Sequence, residues 1–343
     1  MKKGFSIIVC CYNSSDVIEG TLRSLCHLKT DNRFGLELLI VDNCSRDKTS
    51  EIAQNFLTKA KCEFPFKIVS ENKPGLSNAR KRGIDEADCE YLIFCDDDNR
   101  LHPDYALKSF ELMESNADIG AASGFGYAVS EIPLPDWFAS FSKSYSVGAQ
   151  SETIGDITNK EGYVWGAGMV LRKNAIDSLY KSGFNSLLSD RKKETLSSGG
   201  DVELCYALRL CGYKIHYSPE LKFDHFLKKE RLSWKHLRRL YRGFGMQKPL
   251  LEPYTEAYRN DTVSKHSWKK EATVLTKRIR GYGFRKLQDF AGRSEGNYEV
   301  LRIEKTIGRL QQIVKMKKDY EKNFDLIRNA EWRGSYKNEI RHR

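Results

Sequence analysis

The sequence predicts an α/β fold: an open, mostly parallel sheet with helices on both faces, followed by a basic, mainly helical C-terminal extension. Three observations predict it. Apolar runs at 5–12, 36–41, 66–69 and 91–95 are strand-sized and nearly continuous, as in strands buried on both faces. Stretches with apolar residues at helical spacing separate them, which gives a β-α-β-α-β-α-β alternation. Finally, residues 227–343 hold 30 Lys and Arg against 14 Asp and Glu, whereas residues 1–226 hold 27 against 32.

Each element has a local cause. The run at 5–12 is rich in β-branched residues, and Asn13, Ser14, Ser15 and Asp16 can cap the helix carrying Val17, Ile18, Leu22 and Leu25. The second strand ends in Asp42-Asn43-Cys44-Ser45-Arg46-Asp47, and a helix follows through Ile52, Ala53 and Phe56. The third strand leads into Asn72-Lys73-Pro74-Gly75 and a helix over 76–87. The fourth ends in Asp96-Asp97-Asp98. Prolines 133 and 135 make 132–138 a loop with an aromatic anchor. Residues 165–171 read as a strand entered through small residues, and 182–200 as a mobile polar loop. A helix is expected from about Asp201 to Gly212, then a strand over 213–217. Basic helices follow at 234–242, 264–281 and 299–323.

The 343 residues are 40% hydrophobic, 30% charged and 11% aromatic, which excludes a disordered chain. No run approaches the roughly 18 apolar residues of a spanning helix, and the start shows no signal-peptide core. The nine cysteines show no CxxC or Cys/His metal spacing and read as reduced thiols. Together these lead to the expectation of a cytoplasmic protein, soluble or peripheral on the inner face of the cell membrane.

The chemistry gathers at strand ends. In open parallel sheets ligands bind beyond the carboxyl ends of the strands, where Tyr12, Asp42, Asn72 and Asp96 fall. Turn chemistry alone also favours Asp and Asn there. Three adjacent carboxylates, Asp96, Asp97 and Asp98, repel one another unless a cation neutralises them, and oxygen ligands of this kind suit Mg²⁺ or Mn²⁺. Asp201 follows Gly199-Gly200 at a helix start, as a plain cap or as a rigidly held general base. His225 is either structural or the completion of a metal site.

The order Ile8-Val9-Cys10-Cys11-Tyr12-Asn13, Val41-Asp42-Asn43-Cys44-Ser45, Glu71-Asn72-Lys73-Pro74-Gly75-Leu76-Ser77-Asn78-Ala79-Arg80, Phe94-Cys95-Asp96-Asp97-Asp98, Trp165-Gly166-Ala167-Gly168-Met169 and Gly200-Asp201-Val202-Glu203 resembles the inverting glycosyltransferases of family 2, which have the GT-A fold. The resemblance covers about residues 4–226. It implies a catalytic domain over 1–226, with a nucleotide-binding half at 1–99 and an acceptor-side half at 100–226, and a separate basic region at 227–343. It implies a nucleotide-sugar site formed by Cys11, Tyr12 and Asn13 near the base, Asp42 accepting from the base, Asn72, Gly75 and Arg80 around base and ribose, and Asp96 with Asp97 beside the ribose. Trp165 and Gly166 would wall the sugar and acceptor pocket. Asp98 and His225 would hold a divalent cation, Mn²⁺ or Mg²⁺, and Asp201 would be the base. The implied partners are a nucleotide-sugar donor, commonly UDP-linked, and a glycan or lipid-linked acceptor, as in surface polysaccharide synthesis. The chain departs from the family at Cys10-Cys11-Tyr12, at Asp42-Asn43-Cys44-Ser45 and at Gly200.

Two other classes compete. A sugar-phosphate nucleotidyltransferase shares the sheet and the acidic ligands, but the turn Cys11-Tyr12-Asn13-Ser14-Ser15 lacks its glycine-rich loop. A nucleic-acid-binding protein would use the aromatics and cations after residue 226, though no known reading motif occurs there and the acidic two-thirds is unsuited to a polyanion. A basic extension that bears aromatics also suits an anionic membrane surface, a cap on the domain or an oligomer interface.

Overall fold

A computed structural model describes residues 1–60, 62–188, 199–259, 266–292 and 294–334. Its strands are β1 (Lys2–Cys11), β2 (Gly35–Asp42), β3 (Phe66–Ser70), β4 (Cys89–Asp96), β5 (Asn99–Leu101), β6 (Ile119–Ser130), β7 (Gly155–Asp156), β8 (Met169–Arg172) and β9 (Lys214–Leu227). Its α-helices are α1 (Ile18–Leu25), α2 (Thr49–Lys59), α3 (Leu76–Glu86), α4 (Tyr105–Ser115), α5 (Phe138–Phe141), α6 (Lys173–Lys181), α7 (Gly200–Cys211), α8 (Trp234–Arg259), α9 (Trp268–Arg280), α10 (Phe284–Gly292), α11 (Tyr298–Lys315) and α12 (Tyr320–Arg328). One mixed sheet runs β3-β2-β1-β4-β8-β6-β9-β5, with β7 against β9. The expected α/β fold with a helical C-terminal region is the one observed.

The first four strands pair in parallel, and the core explains their continuous apolar sequence. Ile8, Leu39, Val41, Leu92 and Phe94 face one cluster, while Phe5, Ile7, Val9, Leu38, Ile40 and Ile93 face the other. Both faces of β1, β2 and β4 are largely buried and apolar, with Ser6 paired to Glu37 as a buried polar exception, while the edge strand β3 is only partly covered.

The second half of the sheet departs from the sequence reading. The strand expected from Trp165 starts at Met169, and residues 165–168 form the turn before it. Gly168 holds φ +64°, and a Cβ there would lie 2.6 Å from the Tyr105 hydroxyl, which donates to the Gly168 carbonyl. The strand expected at 213–217 continues through His225 to Leu227 as β9, which pairs in parallel with β6. The short β5 then pairs antiparallel with β9 and sets Asn99 opposite His225. Most of the expected loop over 182–200, residues 189–198, lies outside the described residues.

The C-terminal helices pack against the sheet domain. Trp137, Phe138, Phe141 and Tyr145 share one apolar cluster with Trp234, Leu237, Val300 and Leu301. Tyr254, Ala257, Ile327 and Trp332 join the cluster of β1 and α7. Part of the basic surplus is consumed internally: Arg238 and Arg242 both reach the buried Glu304, at 2.8 and 2.5 Å. Arg309 likewise bridges Glu252 and Glu271.

Helices α8 and α11 cross at two glycines. A Cβ on Gly245 would lie 2.0 Å from the Lys305 carbonyl oxygen, and one on Gly308 2.0 Å from that of Arg242. Helix propensity alone favours Ala over Gly by about 1 kcal/mol. Here overpacking wins, so Gly245→Ala lowers stability by about 2–3 kcal/mol, read as a drop in the denaturation midpoint. A rise in the midpoint would contradict this crossing.

Candidate active site

Sheet register brings the strand-end residues to one level. Cys11 lies opposite Asp42, Cys10 opposite Asp96, and Asp42 opposite Ser70. Beyond that edge the chain is tied loop to loop. Asn13, at φ +53°, accepts from the Arg46 amide at 2.8 Å and donates its own amide to Ser45 Oγ at 3.0 Å. Asp42 accepts from the Ser45 amide at 3.0 Å and from the Ser50 hydroxyl.

The buried Asn43 was not singled out from sequence, yet it latches the 71–75 loop. Its Nδ2 donates to the carbonyls of Glu71 and Lys73 at 3.1 and 2.7 Å, and its Oδ1 accepts from the Gly75 amide at 2.6 Å. An amide matches this mixed set of partners, which an Asp at that position would not. Gly75 takes φ +134° there, a conformation that suits glycine. The loop leaves Asn72 exposed, and Tyr12, 47% exposed, stands at the open edge. Cys11 turns its thiol into the core, so only its backbone reaches the edge.

The three aspartates point differently. Asp97 accepts from the Ser14 hydroxyl, and its carbonyl accepts from Thr21 Oγ1 at 2.7 Å. Burial, with the adjacent Asp98 charge, pushes the Asp97 carboxyl up to about 7 against the Ser14 bond. Asp96 faces Arg80 at 3.9 Å. The Arg80 guanidinium lies 5.1 Å over the Phe94 ring.

Arg80 also reaches the second half of the site. Asp201, in the first turn of α7, accepts the Gly166 amide on Oδ2 at 2.7 Å. A Cβ on Gly166 would lie 2.6 Å from Arg80 Nη2 and 3.1 Å from Asp201 Oδ2. Only glycine at 166 lets these two charges and the turn meet. Trp165 is placed beside them by its amide, which donates to Gln150 Oε1 at 2.9 Å. The sequence-selected Arg80, Asp96, Trp165, Gly166 and Asp201 therefore converge.

Two residues along α7, on another face of the helix, Glu203 is buried and serves a different purpose. It accepts from the Ser186 and Tyr254 hydroxyls and the Leu187 and Leu188 amides. Burial raises its pKa against those four bonds. It thus ties α8 and the segment 186–188 to the helix that carries Asp201. Glu203→Ala strands several of these donors, at about 1–3 kcal/mol each, so stability falls by about 3 kcal/mol or more in a denaturant titration. An unchanged midpoint would contradict this tethering.

The β5–β9 pairing brings together the last two selected residues. His225 Nε2 lies 3.6 Å from Asp98 Oδ1, and its Nδ1 meets the Tyr145 carbonyl oxygen at 2.6 Å. That carbonyl only accepts, so Nδ1 carries the proton, and Nε2 is left beside Asp98 to meet a cation. A ring oriented in this way through its other nitrogen suits a metal ligand. Among the described residues no three His, Cys, Asp or Glu side chains form a complete cage. The two donors fit a hard cation that takes its remaining ligands from phosphate and water. Arg231, unnoticed in the sequence, fills this place: one guanidinium nitrogen, Nη1, contacts Asp98 Oδ2 at 2.5 Å and His225 Nε2 at 3.0 Å.

Comparisons with known proteins bear on the family and the fold. The model of glycosyl transferase family 2 matches residues 6–180. The chain is 25% identical over 219 residues to a poly-beta-1,6-N-acetyl-D-glucosamine synthase of Staphylococcus aureus, covering 63% of this chain and 48% of that protein. A namesake from Staphylococcus epidermidis is 31% identical over 122 residues, 36% of this chain and 28% of its own length. The chain thus spans about half the length of the former relative or less. Two solved structures share the fold at 15% identity. Residues 1–349 of TarS from S. aureus, in complex with UDP-GlcNAc, give a TM-score of 0.51 over 94% of this chain and 92% of that one. The Pyrobaculum calidifontis mannosyltransferase PcManGT, in complex with GDP-Man and Mn²⁺, gives 0.54 over 92% and 87%.

Proposed function

This chain belongs to glycosyl transferase family 2, and from that membership we propose that it moves a sugar from a nucleotide-sugar donor to a hydroxyl of a glycan or lipid-linked acceptor, with inversion at the anomeric carbon. The observation that carries the reading is the convergence of Asp201, anchored on the Gly166 amide, with Asp96 through the shared Arg80. A UDP-linked N-acetylhexosamine is the first donor to test, because the curated relatives named above synthesise an N-acetylglucosamine polymer.

The chemistry follows from the groups present. Tyr12, Asn13, Asp42, Asn72 and Gly75 line the edge that would receive base and ribose. Asp98 and His225 would hold Mn²⁺ or Mg²⁺, and a bound cation supplies charge stabilisation to the leaving diphosphate. Asp201 takes the proton of the acceptor hydroxyl as that oxygen bonds to the anomeric carbon. The bond from that carbon to the phosphate oxygen breaks on the opposite face, and the nucleoside diphosphate leaves with the electron pair. Arg80 pairs with Asp96 and lies against the Gly166 turn that Asp201 anchors, so it sets the distance between the two carboxylate-bearing segments. A thermal-shift panel of nucleotide sugars, with and without Mn²⁺, tests this assignment: binding raises the melting temperature by mass action. No shift with any nucleotide sugar would count against it.

The C-terminal region carries a face that suits a membrane surface. No described helix is long and apolar enough to cross a membrane. Helix α9 carries exposed Lys269, Lys270, Lys277, Arg278 and Arg280 around the half-exposed Val274. Such a face favours an anionic leaflet by about 1 kcal/mol per well-placed cation. Failure of the chain to bind anionic vesicles at low salt would remove this part of the proposal.

A further inference from the structure

Arg231 sits where the cation belongs. Its Nη1 contacts both Asp98 and His225, the two side chains read above as cation ligands. A guanidinium does not lose its proton at accessible pH, so it cannot yield to a second cation by becoming neutral. Two positive charges within a few ångströms of each other repel strongly in a partly buried site. Metal loading therefore requires the side chain to leave.

The surroundings allow that movement while keeping the group nearby. The Arg231 side chain is 32% exposed, against 15% for Asp98 and 6% for His225, so it is the member of the trio with an open route. Its backbone is fixed: the Tyr145 hydroxyl donates to the Arg231 carbonyl at 3.0 Å, and the Arg231 amide donates to Lys228 at 2.9 Å. Tyr145 thus anchors Arg231 through its hydroxyl and His225 through its carbonyl. A guanidinium released from Asp98 stays tethered beside the place where a diphosphate would lie, and phosphate oxygens are its natural bidentate partners.

We propose that Arg231 is a cation gate. Without donor it holds the position between Asp98 and His225, and the donor diphosphate draws it away, so that cation and nucleotide sugar load together. The inference rests on the reading of Asp98 and His225 as cation ligands. It makes the coupling between metal and nucleotide a property of one side chain, and the coupling is reciprocal.

Mn²⁺ titrations followed by the electron paramagnetic resonance of the free ion, on the full chain with and without UDP, test it. Without UDP, Arg231→Gln binds Mn²⁺ about tenfold more tightly than wild type, because the competing charge is gone. Arg231→Lys, whose ammonium is a single point charge, falls between the two. Lys228→Gln removes a nearby charge that is paired with Asp16 rather than Asp98, and changes Mn²⁺ affinity by less than about threefold. UDP then strengthens Mn²⁺ binding by a larger factor in wild type than in Arg231→Gln. Equal Mn²⁺ affinity in wild type and Arg231→Gln, or an equal gain in Lys228→Gln, overturns the gate while leaving the ligands in place. Mn²⁺ binding untouched by Asp98→Asn overturns the ligand reading itself, and the gate with it.

Discussion

Asp201→Asn will lower the transfer rate by about 10²–10⁴-fold, the usual contribution of a positioned general base, and will leave donor affinity unchanged. The substitution is close to isosteric, and the Asn oxygen still accepts the Gly166 amide that Asp201 holds at 2.7 Å. The turn over 165–168 therefore stays in place, and Arg80 keeps its partner Asp96. What is lost is the ability to take a proton. A fall in kcat with an unchanged dissociation constant for the nucleotide sugar is the expected signature. Wild-type turnover would remove Asp201 from the mechanism; weakened donor binding would make it a structural residue instead.

The second large effect is at Asp98. Asp98→Asn will reduce the Mn²⁺-dependent gain in nucleotide-sugar affinity by about 100-fold. Disturbing a residue that only orients a metal ligand already costs about 10–100-fold in metal affinity. Affinity measured in chelator will change far less, because Tyr12, Asp42 and the 71–75 loop lie at the ends of β1, β2 and β3 rather than of β4. An unchanged Mn²⁺ dependence would show that the Asp98–His225 pair is not a cation site. The Arg231 contact gives this variant a second readout, since Asn cannot form the ion pair that Asp98 makes.

These residues were unequally legible in the sequence. β1, β2 and β4 could be read because both of their faces are buried and their apolar runs are nearly continuous, and the partly covered β3 because Phe66, Ile68 and Val69 still pack on the two clusters. β6 could not be read: its small residues resemble a loop, yet they are there because neighbouring chain lies so close. A Cβ on Gly124 would lie 1.8 Å from the Leu221 carbonyl oxygen, and one on Gly120 2.7 Å from Tyr213. Missing β6 meant missing the length of β9, and so the pairing that sets His225 beside the aspartates. The helix read over 234–242 runs on to Arg259 through Pro249 and Pro253, which sequence rules treat as breakers and which here lie buried.

The site shows the same division. Asp96, Asp98 and Asp201 declared themselves through their positions after a strand or a glycine turn. Asn43 and Arg231 did not. Asn43 acts through two carbonyls and an amide of a loop 28 to 32 residues away, a set of partners visible only in three dimensions. Arg231 follows Lys228, Lys229 and Glu230, where a charged run reads as a solvated surface. Folding turns that run back onto Asp98.

The most direct test of the account is the configuration of the first product. Nucleotide sugars of the thermal-shift panel, UDP-N-acetylglucosamine first, are incubated with the chain and Mn²⁺, and the anomeric proton of the released or transferred sugar is followed by NMR before mutarotation. An α-linked donor should give a β product, the outcome of one displacement with Asp201 as base. An α product would require a covalent or front-side route and would contradict the account.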